Sequence, residues 1–134
     1  MSTIQLEIVT PERKVYSNEV NMIIARGVEG ELGILPKHAP FVTPLVVSAL
    51  RIKRGNQEDV IAVSGGFLEV SQDKVVILAE SAELPEEIDI DRAMESKERA
   101  ERRLVKAGSD ELDFKRAQLS LQRAMNRLDV AKRK

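Results

Sequence analysis

Five arginines fall in two rows whose spacing suits phosphate. Arg92 and Arg99 stand seven residues apart in one segment; Arg116, Arg123 and Arg127 share a row in a second, the last two as an i, i+4 pair. If both segments are helical, each row occupies one face, and a hairpin that brought the two faces together would make an arginine cluster. Guanidinium forks match phosphate oxygens bidentately, so such a cluster suits a polyphosphate. The plainer reading is a pair of solvated helix faces salted with surface ion pairs, and the residues alone favour it.

The remaining residues offer little chemistry. Cysteine is absent, which removes disulfides, thiolate metal sites and cysteine nucleophiles. The single histidine, His38, sits among Pro36 and Pro40 and reads as a turn or contact residue. Ser64, in Ala62-Val63-Ser64-Gly65-Gly66, lies one glycine short of a nucleophile elbow. Gly27, Gly30 and Gly33 have neither the dinucleotide-binding spacing nor that of a Walker A loop. No His/Asp/Glu cluster has the spacing of a metal site. With no nucleophile or acid–base pair, the chain is expected not to be an enzyme. Aromatic residues make up 3% of the chain and Trp is missing, which argues against a base-stacking platform and hence against a nucleic-acid partner. The longest uncharged stretch, His38 to Leu50, is interrupted by Pro40 and Pro44 and is shorter than the roughly 20 apolar residues a bilayer span requires. The N-terminus enters a strand pattern at once, with no signal peptide, so a soluble cytoplasmic protein is expected.

The elements that must position the arginines follow from where the backbone bends. All five prolines and six of the seven glycines lie in residues 1–85, and the remainder holds only Gly108. Glycine and proline punctuate turns, and their absence permits helix. The expectation is an α+β chain: an antiparallel β-sandwich over 1–85, then an antiparallel two-helix hairpin over 86–134 hinged at Gly108. Ile4, Leu6 and Ile8 alternate with Gln5 and Glu7, the period of a half-buried strand. Leu45 to Lys53, Val60 to Val63, Phe67 to Val70 and Val75 to Ala79 are further β-rich runs. They are separated by Gly55-Asn56, Ser64-Gly65-Gly66 and Gln72-Asp73. The apolar residues from Phe41 to Val47 read either as a partner surface or as core strands.

In the helical half, Phe114, Ala117, Leu121, Ala124, Leu128 and Ala131 recur with heptad-like spacing, as do Ile90, Ala93, Ala100, Leu104 and Ala107 with Lys97 in a polar slot. Alanine buries little surface, so these seams predict a hairpin of marginal stability, as a conformational switch requires. Charge is uneven. Glu86, Glu87, Asp89 and Asp91 crowd the start of this half, while Lys115, Arg116, Arg123, Arg127, Lys132, Arg133 and Lys134 face Asp129 alone after Phe114. Helix macrodipoles account for that pattern, and so would an acidic partner for the basic end.

Longer motifs carry a resemblance. Gly30-Glu31-Leu32-Gly33-Ile34-Leu35-Pro36-Lys37-His38-Ala39-Pro40, Ala62-Val63-Ser64-Gly65-Gly66-Phe67-Leu68-Glu69-Val70, Asp113-Phe114-Lys115-Arg116-Ala117 and Arg123-Ala124-Met125-Asn126-Arg127-Leu128 together resemble the epsilon subunits of bacterial F-type ATP synthase, most of all those of thermophilic bacilli. The likeness covers the whole chain. It implies a non-catalytic rotor subunit of the proton-translocating enzyme, peripheral at the cytoplasmic face of the cell membrane. The sandwich would pack on the gamma subunit and touch the c-subunit rotor ring. The helices would either fold down on the sandwich or extend toward the beta and alpha subunits, the extended form blocking ATP hydrolysis.

The family's nucleotide motif is matched by Ile88-Asp89-Ile90-Asp91-Arg92-Ala93, and its phosphate-binding arginines by Arg99, Arg123 and Arg127, with Glu83 as an acidic contact near the adenosine. The resemblance thus implies regulatory ATP, with arginines on the phosphates, Asp89 holding Arg92 or the ribose, and adenine near Ile88 and Ala93. Mg2+ is compatible with such a site, although the sequence offers no dedicated cage for it. The competing expectation is a purely structural stalk adaptor, its arginines serving protein contacts alone.

Overall fold

The computed structural model describes residues 2–133; Lys134 of the basic run lies outside the described residues. The strands are β1 (Ile4–Val9), β2 (Lys14–Val20), β3 (Met22–Gly27), β4 (Gly30–Ile34), β5 (Phe41–Arg54), β6 (Gln57–Val70), β7 (Lys74–Ala79) and β8 (Ala82–Glu83). A short 3-10 turn over Pro85–Glu87 leads to α1 (Ile90–Ala107) and α2 (Glu111–Ala131). The alternation in β1 folds as read: Ile4, Leu6 and Ile8 are buried while their neighbours are half-exposed.

The strands run β2-β1-β7-β6-β5-β3-β4, with β8 beside β6. Every pairing is antiparallel except β1 with β7, which is parallel. A parallel neighbour needs a long crossover, and here the whole excursion through β2 to β6 supplies it. The β5–β6 hairpin belongs to both layers. Its first half joins β1, β2 and β7, its second β3 and β4, and one register runs unbroken from Phe41↔Val70 to Arg54↔Gln57. Both layers turn Leu6, Ile8, Ile23, Ile34, Leu50, Ile52, Ile61, Leu68 and Ile77 into a common core.

Ser64-Gly65-Gly66, expected to separate two strands, lies instead inside β6. Gly65 and Gly66 have φ of 94° and 129°, backbone that bends the strand between layers without ending it. The ladder continues around the bend through Ser64 N donating to Ser81 O at 3.0 Å and Glu80 N to Gly65 O at 3.2 Å. Phe41 to Val47 is likewise part of β5: Leu45 is buried and Val42 is exposed.

A polar network ties β2 to the far hairpin. Tyr16 Oη donates to Asp59 Oδ2 and Arg54 Nε donates to the same oxygen, each at 2.8 Å. Burial, then the Asp59 hydrogen bond, pushes the Tyr16 phenol up to about 12. Burial opposes ionisation of Asp59, but the hydrogen bonds from Arg54 and Tyr16 prevail and hold its carboxyl below the usual range. The raised phenol pKa contributes stability below its ordinary 10.0 that is lost as pH rises toward 12. The lowered carboxylate pKa contributes stability above 3.8 that is lost as pH falls below it. Tyr16→Phe is therefore expected to lower stability by about 1 kcal/mol at neutral pH. In denaturant titrations across pH, the gap to wild type should close at both extremes; a gap independent of pH would contradict the assignment.

Candidate functional site

One stretch of the sandwich is buried on both faces. Val60 to Ser64 in β6 is buried throughout: Ile61 and Val63 point into the main core, whereas Val60 and Ala62 meet Ile88, Val130 and Ala131 on the outside. This small apolar cluster is where the helices dock. α2 makes the contacts with β5 and β6, and α1 packs on α2. Asn126 Nδ2 donates to the carbonyl of Ser48 at 2.9 Å. Arg127 grips Glu83 bidentately, Nε to Oε1 at 2.6 Å and Nη2 to Oε2 at 3.1 Å. Arg123 Nη2 reaches Glu80 Oε2 at 3.2 Å.

The helices begin where their sequence dictates. Asp89 caps α1 by accepting the backbone N–H of Arg92 at 3.1 Å, and Asp110 caps α2 through the N–H of Asp113 at 3.1 Å. Gly108, with φ of 55°, ends α1. Ala93 and Ala100 on α1 and Ala117 and Ala124 on α2 are buried; their methyl groups let the backbones approach closely. The expected seam fails at its ends, since Ile90 and Phe114 are 45% and 42% exposed. Ala93 and Ala117, three residues further along their helices, are buried, so the seam is closed by methyl groups and is too thin to cover the larger residues beside it.

Between α1, α2 and the sheet lies a cleft of about 310 Å³. α1 contributes Ser96, Arg99 and Arg103; α2 contributes Ser120, Arg123 and Arg127; the sheet contributes Ser64, Ser81 and Glu83. Four guanidinium groups thus face one lining carboxylate, among hydroxyls that can donate to or accept from a ligand. Arg123 Nε is buried without a hydrogen-bond partner, a donor whose desolvation nothing within the protein offsets. An anion carrying several oxygens fits this donor set.

The structure brings four of the expected site residues, Glu83, Arg99, Arg123 and Arg127, to this one cleft. The others lie at the base of α1. Asp89 is the cap described above. Arg92 is exposed, one turn before Ser96 on the face that reaches the cleft. Ile88 and Ala93 are buried, at 4% and 0% exposure, and leave little surface for a base. Sequence reasoning missed Arg103, Glu80 and the four serines. Arg103 was within reach, since it continues the Arg99 row at i+4. Among the described residues there is no group of three or more His, Asp or Glu able to hold a metal, so any Mg2+ would arrive with phosphates.

Two family models match the chain: the ATP synthase delta/epsilon chain beta-sandwich domain over residues 3–85, and the long alpha-helix domain of the same chain over 86–132. The chain is 58% identical to the ATP synthase epsilon chain of Halalkalibacterium halodurans over 99% of its length and 100% of that protein's. It is 62% identical to that of Alkalihalophilus pseudofirmus over 97% and 98%. Among solved structures it is similar to a chain of the Euglena gracilis mitochondrial ATP synthase OSCP/F1/c-ring assembly. There the TM-score is 0.81 and the identity 26%, over 98% of this chain and 82% of that one.

Proposed function

The chain belongs to the ATP synthase delta/epsilon family, and from that membership together with the cleft we propose that it is a non-catalytic central-stalk subunit whose hairpin is held down by ATP. The sandwich would join gamma to the c-ring. The helices would leave it to reach the beta and alpha subunits and oppose ATP hydrolysis. No helix among the described residues is long and apolar enough to cross a membrane, which suits a subunit attached peripherally, at the cytoplasmic face, through the complex.

The observation that supports this reading is the cleft's triple lining. Its walls come from α1, from α2 and from the sheet, so a ligand seated there ties both helices to a sheet that the hairpin otherwise meets through small contacts. The dock itself is thin: a few apolar side chains around Val130, one asparagine and two partly exposed ion pairs. Exposed ion pairs contribute at most about 1 kcal/mol each. Bound ATP supplies a triphosphate anion, for which Arg99, Arg103, Arg123 and Arg127 are the available donors, with Arg92 one turn away.

The strength of such a latch depends on affinity. Ligand stabilises the binding form by RT ln(1 + [L]/Kd), so at millimolar ATP a Kd near 1 µM gives about 4 kcal/mol, whereas one near 1 mM gives about 0.4. Calorimetric titration of the protein with ATP tests the reading: saturable binding supports it, and no heat at millimolar ATP leaves a structural stalk adaptor. Asp89→Ala with Arg92→Ala separates the two further, since an unchanged ATP affinity would reduce the motif to a helix cap and a surface charge.

Glu80 enters as a competitor. Its carboxylate occupies a guanidinium that a phosphate would use, and both partners are well exposed, at 41% and 65%. Glu80→Gln should therefore tighten ATP binding, by up to about fivefold, in the same calorimetric experiment. A weakened affinity would show that Glu80 orients Arg123 for the ligand.

A further inference from the structure

A second cleft, of about 350 Å³, continues the first toward the hairpin turn. Its lining is Arg103, Lys106, Ala107, Asp113, Arg116 and Ala117, and Arg103 is shared with the first cleft. We propose that the two clefts form one cationic groove that binds a linear polyphosphate chain longer than a triphosphate. This rests on the phosphate reading of the first cleft and extends it.

The spacing makes the groove continuous. On α1, Ser96, Arg99, Arg103 and Lys106 follow one another at steps of three or four, and on α2 Arg116, Ser120, Arg123 and Arg127 do the same. Both sets therefore lie on single helix faces. At 1.5 Å per residue each row runs about 15–17 Å along its helix. Between the rows runs the alanine floor, Ala100 and Ala107 against Ala117 and Ala124.

Charge points the same way. The outer cleft gathers three cations against Asp113 alone. Among the described residues, Arg103, Lys106 and Arg116 have no carboxylate within ion-pairing distance. Small seam residues hold the helices close, so these three like charges repel across the hairpin, and a multivalent anion lying along the groove would neutralise them together with Arg99. The groove carries no aromatic side chain, so a nucleic acid would find no stacking surface in it. A chain of phosphates has the regular charge without the bulk.

The test uses the full-length protein in calorimetric titrations with inorganic tripolyphosphate and with a longer linear polyphosphate, at matched ionic strength. The longer chain is expected to bind about tenfold more tightly than tripolyphosphate. The double variant Lys106→Gln, Arg116→Gln should reduce the longer chain to the affinity of tripolyphosphate while leaving ATP affinity unchanged. Equal affinity for the two chain lengths, or a gain that survives the double substitution, would overturn the extended groove and leave the first cleft standing. Failure of the unaltered protein to bind ATP and tripolyphosphate alike would overturn the reading of the first cleft and this one with it.

Discussion

Gly66→Ala is expected to destabilise the sandwich by more than about 4 kcal/mol, the exceptional end of single-substitution effects. A methyl group on Gly66 would collide with the Leu78 carbonyl oxygen and lie 2.8 Å from the Ala79 Cα. Both are backbone atoms of β7, the strand paired with β6 at that point, so no side-chain rotation relieves the clash. The backbone φ of 129° adds strain for any residue with a Cβ. Relief would require separating β6 from β7 where the strand bends from one layer to the other. Denaturant unfolding of the two proteins measures the difference. A midpoint near that of the wild type would mean that the bend does not need glycine.

Arg99→Ala and Arg127→Ala are expected to lower ATP affinity about 10- to 100-fold, the loss of one charge-assisted hydrogen bond or two, but to differ in the absence of ATP. Arg99 lines the cleft with no ion pair among the described residues, whereas Arg127 holds Glu83 at 2.6 Å in a pair whose side chains are only 24% and 28% exposed. Removing Arg99 should leave the ligand-free dock intact. Removing Arg127 strands a partly buried carboxylate and frees the C-terminal half of α2, so the hairpin should loosen before any ligand is added. Calorimetry gives the first comparison, and protease sensitivity of the hairpin gives the second. Equal ligand-free sensitivity in both variants would show that the Glu83 pair does not hold the helices.

The sheet and hairpin were legible because their signals are local. Alternation in β1 and the clearing of glycine and proline after Pro85 each depend on a few adjacent residues. The bend in β6 was not, because Gly65-Gly66 reads alike whether it ends a strand or folds one over. The helix dock left a fainter trace. Val60-Ile61-Ala62-Val63 is a continuous apolar run, as burial on both faces requires, but so is Val75 to Ala79 in β7, where alternate residues stay exposed or half-buried. What covers the second face depends on where the chain returns, which no local pattern states. The same limit hid Glu80 as the partner of Arg123, since 43 residues separate them. Helical spacing could place Arg123 with Arg127 on one face and Arg92 with Arg99 on another, but bringing the two rows to one site rested on the family resemblance.

We propose that the hairpin is a weakly docked body that ATP fastens to the sandwich. Amide hydrogen exchange along the whole chain, with and without saturating ATP, reads that fastening residue by residue. Without nucleotide, α1 and α2 should exchange well ahead of the core strands β1, β5, β6 and β7, and ATP should slow the helices while leaving those strands unchanged. Helices as protected as the core in both conditions would contradict the claim and make the molecule a rigid brace.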